Sequence, residues 1–121
     1  MPAHIVLVDD DPLYREALAA DLGARGYEVS GFANGPALLA ALQGGITAQA
    51  ALLDWSLPHM SGLDLLRILQ ERGFGLPVIF LTGRSGREFK QEALNAGAVD
   101  FIDKTCGTAE LAQRLCRIIG G

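Results

Sequence analysis

Unbroken apolar runs alternate along this chain with stretches whose apolar residues recur every three or four positions. Ile5-Val6-Leu7-Val8 is the first run, β-branched and apolar on both alternating faces, as suits a strand covered on each side in a parallel sheet. Asp11 then stands as N-cap of a helix with Pro12 at its first position, Glu16 in its first turns, and Leu13, Ala17, Leu18 and Leu22 as its buried stripe. Arg25-Gly26 ends it. Val29 and Phe32 mark a short second strand, and Asn34 caps a helix running through Pro36, Leu38, Leu39 and Leu42 to Gly44-Gly45. The third strand, Ala51 to Leu53, delivers Asp54 and a loop containing Pro58 and Gly62; Leu63, Leu66, Ile68 and Leu69 give the next helical stripe, closed at Gly73. Val78 to Leu81 is a fourth strand ending in Thr82-Gly83, followed by a helix from about Arg87 to Ala96 that turns Phe89, Ala93 and Leu94 inward and stops at Gly97. Val99 to Ile102 closes the set on Asp103-Lys104, and Thr108 is placed to cap a last helix carrying Leu111, Leu115, Ile118 and Ile119.

Strands alternating with helices of about ten residues predict an α/β fold, a doubly wound five-stranded parallel sheet with helices on both faces. Right-handed crossovers favour the strand order 2-1-3-4-5, which sets the ends of the first and third strands side by side at the switch point. The five units fill residues 1–121, so a single domain is expected.

Composition narrows the class without naming it. Half the residues are apolar and a fifth charged, as in ordinary globular proteins. A net charge of −4 with no Lys/Arg run gives this chain no electrostatic footprint for nucleic acid. Cys106 and Cys116 match neither a zinc knuckle nor a redox pair, and no run approaches the roughly 20 apolar residues of a membrane span; reduced thiols and a cytoplasmic location are expected. His4 is read as a strand-edge residue and His59 as a loop residue.

The chemistry collects at the carboxyl ends of the strands. Asp9 and Asp10 follow the first strand, Asp54 the third, Thr82 the fourth and Lys104 the fifth. Any one of them has an ordinary explanation: an acidic pair suits a helix start, Asp opens turns, and lysine is a common surface residue. Their joint placement at the ends of separate strands does not. Clustered carboxylates repel one another, and Mg²⁺, which takes one or two carboxylates and keeps several waters, relieves that repulsion. A carboxylate can attack phosphorus to give an acyl phosphate when cations neutralise the transferring oxygens, roles that suit Asp54 as nucleophile, Lys104 as cation and Thr82 as hydroxyl donor. Aspartates stand where a nucleotide-binding turn would carry glycines, which disfavours a dinucleotide enzyme or a P-loop.

With these residues in place, the chain from Ile5 to about Ile119 resembles the response-regulator receiver domains of two-component signalling, whose flavodoxin-like fold has three layers, α/β/α. The resemblance rests on Asp9-Asp10, on Asp54 within Asp54-Trp55-Ser56-Leu57-Pro58-His59-Met60-Ser61-Gly62, and on Thr82, Phe101 and Lys104. It implies that Asp54 accepts phosphate from a histidine kinase or phosphotransfer protein. It implies Mg²⁺ held by Asp10, Asp54 and the backbone carbonyl of Ser56, with Asp9 acting through water, and a switch made by Thr82 and Phe101. In the winged-helix transcription-factor class of the family, the face around the last strand forms a symmetric dimer, and Lys90, Asp100, Glu110 and Arg114 stand where its ion pairs would form.

The chain also departs from the pattern. Thr105 follows Lys104 where the family commonly has proline, and a cis bond before threonine would cost ~3 kcal/mol, so a trans bond and a different loop are expected. Gly83 replaces the usual small alanine. Two other functions fit parts of the chain. Asp9-Asp10-Asp11 contains the D-x-D arrangement of haloacid-dehalogenase-type phosphatases, with Asp9 as nucleophile, although such enzymes usually carry Thr or Val where Leu13 stands. A phosphate-independent interaction module would keep the fold without the reaction.

Overall fold

The computed structural model describes residues 2–119. Five parallel strands form one sheet: β1 His4–Val8, β2 Glu28–Phe32, β3 Ala50–Asp54, β4 Val78–Thr82 and β5 Asp100–Asp103, in the order β2-β1-β3-β4-β5. Between and after them run α1 Pro12–Ala24, α2 Gly35–Gln43, α3 Gly62–Glu71, α4 Lys90–Asn95 and α5 Gly107–Ile119. The expected strand order is the observed one.

Alternation along the strands divides the core in two. Val6, Val8, Leu53 and Phe80 point toward α2, α3 and α4, whereas Ile5, Leu7, Leu52, Ile79 and Ile102 point toward Leu18 and Leu22 of α1 and Leu111 and Leu115 of α5. Both faces are covered, which is why β1 is apolar throughout after His4 and β3 and β4 are apolar until their last residues. Local signals start the helices. Asp11 accepts hydrogen bonds from the Leu13 and Tyr14 amides, Asn34 from Ala37, and Ser61 from Asp64.

Several local expectations are corrected. Leu13 is 78% exposed, and Ala17 is also exposed. The inward stripe of α1 is Tyr14, Leu18 and Leu22, so the first two positions were one residue out of phase, about 100° around a helix. The segment after β4 is a 3₁₀ helix, Arg84–Phe89, and α4 begins only at Lys90. Within it Ala93 is buried, while Leu94 is half-buried and Phe89 reaches the surface. Strand β5 starts at Asp100, and Val99 is exposed before it. Thr108 does not cap α5. The chain turns through a second 3₁₀ helix, Lys104–Cys106, capped by Asp103, and Thr108 falls inside α5, where its hydroxyl donates to Asp21 of α1 at 3.0 Å. All peptide bonds among the described residues are trans, Lys104-Thr105 included, and both cysteines are free and exposed. His4 is tied in more firmly than an edge residue need be, its ring bonding Ser30 on one side and the Thr47 carbonyl on the other. His59 lies in the loop after β3 with φ 69°, the one non-glycine residue at positive φ among those described. No helix among the described residues is long and apolar enough to cross a membrane.

Candidate functional site

Sheet register assembles the site. Val8 of β1 pairs with Leu53 of β3, so Asp9 and Asp54 leave adjacent strands together. Asp54 in turn pairs with Leu81 and Thr82 with Asp103, which puts Thr82 and Lys104 one step farther along the same rim. One carboxylate oxygen from each of Asp9, Asp10 and Asp54 lies within 4.8 Å of the others. Asp9 is fully buried and Asp54 nearly so, while Asp10 is exposed at the mouth.

Lys104 joins the two buried acids. Its Nζ lies 2.7 Å from Asp9 Oδ2 and 3.3 Å from Asp54 Oδ2, and 4.6 Å from the centre of the Tyr14 ring. The Asp11 amide donates to Asp9 Oδ1 at 2.9 Å and the Ser56 amide to Asp54 Oδ1 at 3.1 Å. Asp9 Oδ2 has ion-pair contact with Lys104 but no aligned hydrogen bond. A buried carboxylate oxygen in that condition, beside two more carboxylates and no softer donor, fits a hard cation of the Mg²⁺ type. Asp9, Asp10 and Asp54 are the side chains that would hold it.

The electrostatics follow from burial. Burial pushes the Asp54 carboxyl above the usual carboxylate range; the Ser56 amide and Lys104 offset this in part, and Asp9 reinforces it. Burial by itself would lower the Lys104 ammonium, but its close pairing with the Asp9 carboxylate and the charge of Asp54 outweigh that, and its net direction is up. The Tyr14 phenol is pushed up to about 12, chiefly by burial, against the pull of Lys104. At neutral pH the pocket therefore holds a charged lysine and a neutral tyrosine.

Thr82 is buried and donates its hydroxyl to the Gly83 carbonyl at 3.0 Å. A Cβ on Gly86 would fall 1.7 Å from that hydroxyl oxygen, so only glycine lets the 3₁₀ segment lie this close. Phe101 is turned inward, 6% exposed, edge-on to Trp55 at 5.5 Å; Trp55 also stacks on Phe89 and meets Phe80 edge-on. Ser56 enters through its amide, and its own side chain is exposed. Away from the carboxylates, Arg114 of α5 pairs with Asp100 of β5 and with Glu110 one turn back, and Lys90 is exposed on α4.

Sequence reasoning missed Tyr14 and Arg15. Tyr14 sits three residues past the Asp11 cap, a spacing that returns a helical side chain to the strand end and that the misphased stripe concealed. Arg15 sends Nη1 to the Asp9 carbonyl at 2.6 Å, and nothing in the composition of that helix signals it.

Residues 5–116 match the family model described as the response regulator receiver domain. The response regulator MprA of Mycobacterium sp. (strain KMS) is 34% identical over 115 residues, which are 95% of this chain and 50% of that protein. The TorCAD operon transcriptional regulatory protein TorR of Escherichia coli (strain K12) is 36% identical over 98% of this chain and 51% of its own length. The chain thus spans about half the length of these relatives. Among solved structures, the receiver domain of the TMAO respiratory system response regulator TorR aligns with TM-score 0.87 at 36% identity, covering 98% of this chain and 97% of that one. Full-length FixJ from B. japonicum aligns with TM-score 0.90 at 29% identity, covering 97% of this chain and 57% of its own.

Proposed function

The chain belongs to the response-regulator receiver domains, and on that premise we propose that Asp54 is the phosphoacceptor of a two-component pathway, phosphorylated in a Mg²⁺-dependent reaction from the phosphohistidine of a histidine kinase or phosphotransfer protein. The observation that carries this reading is the Lys104 ammonium lodged between Asp9 and Asp54, with Asp10 beside them. An Asp54 carboxylate oxygen attacks phosphorus, the P–N bond to the donor imidazole breaks, and the imidazole leaves with the bonding pair and takes up a proton. The Ser56 amide holds Oδ1 of Asp54, leaving Oδ2, the oxygen facing Lys104, as the attacking atom. Lys104 then neutralises an oxygen of the transferred group. Mg²⁺ held by Asp9, Asp10, Asp54 and the Ser56 carbonyl would supply the remaining positive charge.

The acyl phosphate adds a dianion to a rim that also carries the Thr82 hydroxyl, at the end of β4. Leaving the Gly83 carbonyl for the phosphoryl oxygens requires the 3₁₀ segment over Thr82 to shift, which alters the stacking of Phe89 on Trp55 and the packing of Phe101. This couples the phosphate to the α4-β5-α5 face, where Lys90, Asp100, Glu110 and Arg114 would join two copies of the chain. Exposed pairs of this kind contribute only ~0–1 kcal/mol each, so a dimer needs the repacked apolar surface as well.

Trp55, the one tryptophan, reports on the site. Its fluorescence is expected to change with Mg²⁺ and again when beryllofluoride, a mimic of the acyl phosphate, is added. Sedimentation under the same conditions should show a larger species only with both present. No fluorescence response to either ligand would contradict the reading, and a response without assembly would remove the dimer from it.

A further inference from the structure

Asp9 ends the β1-β2 ladder: its amide still donates to the Phe32 carbonyl at 3.0 Å, but β2 stops there. A backbone carbonyl at the end of a ladder needs a donor from elsewhere, and Arg15 Nη1 provides one to Asp9 at 2.6 Å. The approach is eased by Gly31. A Cβ at that position of β2 would lie 3.0 Å from both Cγ and Cδ of Arg15, so the absence of a side chain opens the path along which the arginine stem crosses the strand. Residue 9 is consequently held at three points, its amide by β2, its carbonyl by Arg15 and Oδ1 by the Asp11 amide, with Oδ2 left facing Lys104.

We infer that Arg15, given its path by Gly31, is a positioning residue for the metal-binding turn: it fixes the Asp9-Asp10 peptide so that the carboxylates of Asp9 and Asp10 meet that of Asp54. The inference rests on the Mg²⁺ reading above. It has an unusual sign. Arg15 is a cation near the acidic cluster, so removing its charge should tighten binding of a divalent cation if electrostatics alone mattered. Loss of positioning should weaken it.

The test is a Mg²⁺ titration followed by Trp55 fluorescence for the wild-type chain, Arg15→Met, Arg15→Lys and Gly31→Val, with metal-free thermal unfolding of each. Arg15→Met and Gly31→Val are expected to weaken Mg²⁺ binding about 10-fold, the scale of lost outer-shell support at metal sites. Gly31→Val does so with the arginine charge retained, and Arg15→Lys, which keeps a donor, recovers part of the loss. If Arg15→Met fails to fold, Gly31→Val against wild type decides. Unchanged or tighter binding in these variants, beside a normal wild-type response, overturns the positioning role and leaves the phosphoacceptor reading standing. A wild-type chain that ignores Mg²⁺ overturns both.

Discussion

Lys104→Met is expected to destabilise the metal-free protein by about 2 kcal/mol at neutral pH and to abolish its response to beryllofluoride. Removing the lysine leaves Asp9 and Asp54 buried against each other with no cation. Breaking a fully buried pair costs ~3–5 kcal/mol; Lys104 retains 22% exposure, so water screens part of that loss. The effect depends on pH in a definite direction. A carboxyl raised in the folded state, as Asp54 is, favours the folded protein where it is protonated and works against it once pH climbs from the unfolded value through the folded one. Without Lys104 the rise is larger, so the deficit of the variant should shrink as pH falls toward the carboxylate range. The contribution of Lys104 in the wild type has the opposite edge: raised above 10.5, it is fully present below that value and lost as pH rises through the folded one. Urea denaturation across pH, with and without Mg²⁺, measures each part. Mg²⁺ should restore stability to the variant without restoring phosphate acceptance, because the metal replaces the lysine's charge between the carboxylates but not its contact with the phosphoryl group.

Asp54→Asn is expected to separate stability from function. The amide cannot attack phosphorus, so labelling should vanish entirely, and with it any response of Trp55 to beryllofluoride. In the absence of metal the same variant should be more stable than the wild type at neutral pH, because it removes a buried charge whose protonation folding favours. Mg²⁺ should then stabilise the wild type more than the variant, closing or reversing the gap. A wild type that is already the more stable of the two without metal would mean that Lys104 and the Ser56 amide more than compensate for burial of Asp54.

Most of this site was legible because it depends on strand ends. Apolar runs locate β1, β3, β4 and β5 to within a residue or so, and the acids, threonine and lysine that follow them fall on one rim once the order 2-1-3-4-5 is accepted. Parallel register, with Val8 beside Leu53 and Leu81 beside Asp54, then does what spacing alone could not and makes neighbours of residues as far apart in the chain as Asp9 and Asp54. Helix phase was less legible. In α1, Leu13 looked like core but is exposed at 78%, and the polar-tipped Tyr14 takes the inward position beside Lys104, where an amphipathic ring suits a half-charged pocket better than leucine would. The region after β4 was misread because its apolar residues are sparse and its 3₁₀ geometry has no strong periodic signature. Thr108 resembled a cap in every local respect, yet the extra turn at Lys104–Cys106 moved the helix start ahead of it. Arg15 was invisible for a different reason: its stem runs close over Gly31 of β2 to reach the Asp9 carbonyl, a relation between separate elements that no local pattern encodes.

The central claim is that Asp54, and no other carboxylate of the cluster, takes up the phosphoryl group. Incubation with acetyl phosphate and Mg²⁺, followed by mass spectrometry of the intact chain and its peptides, tests it most directly. One phosphoryl group per chain, labile to hydroxylamine, located on Asp54 and absent from Asp54→Asn but retained in part by Asp9→Asn, is the predicted result. Label on Asp9, or many turnovers of free phosphate per chain, would contradict the account in favour of a phosphatase, and no label at all would leave an interaction module with the fold of a receiver and none of its chemistry.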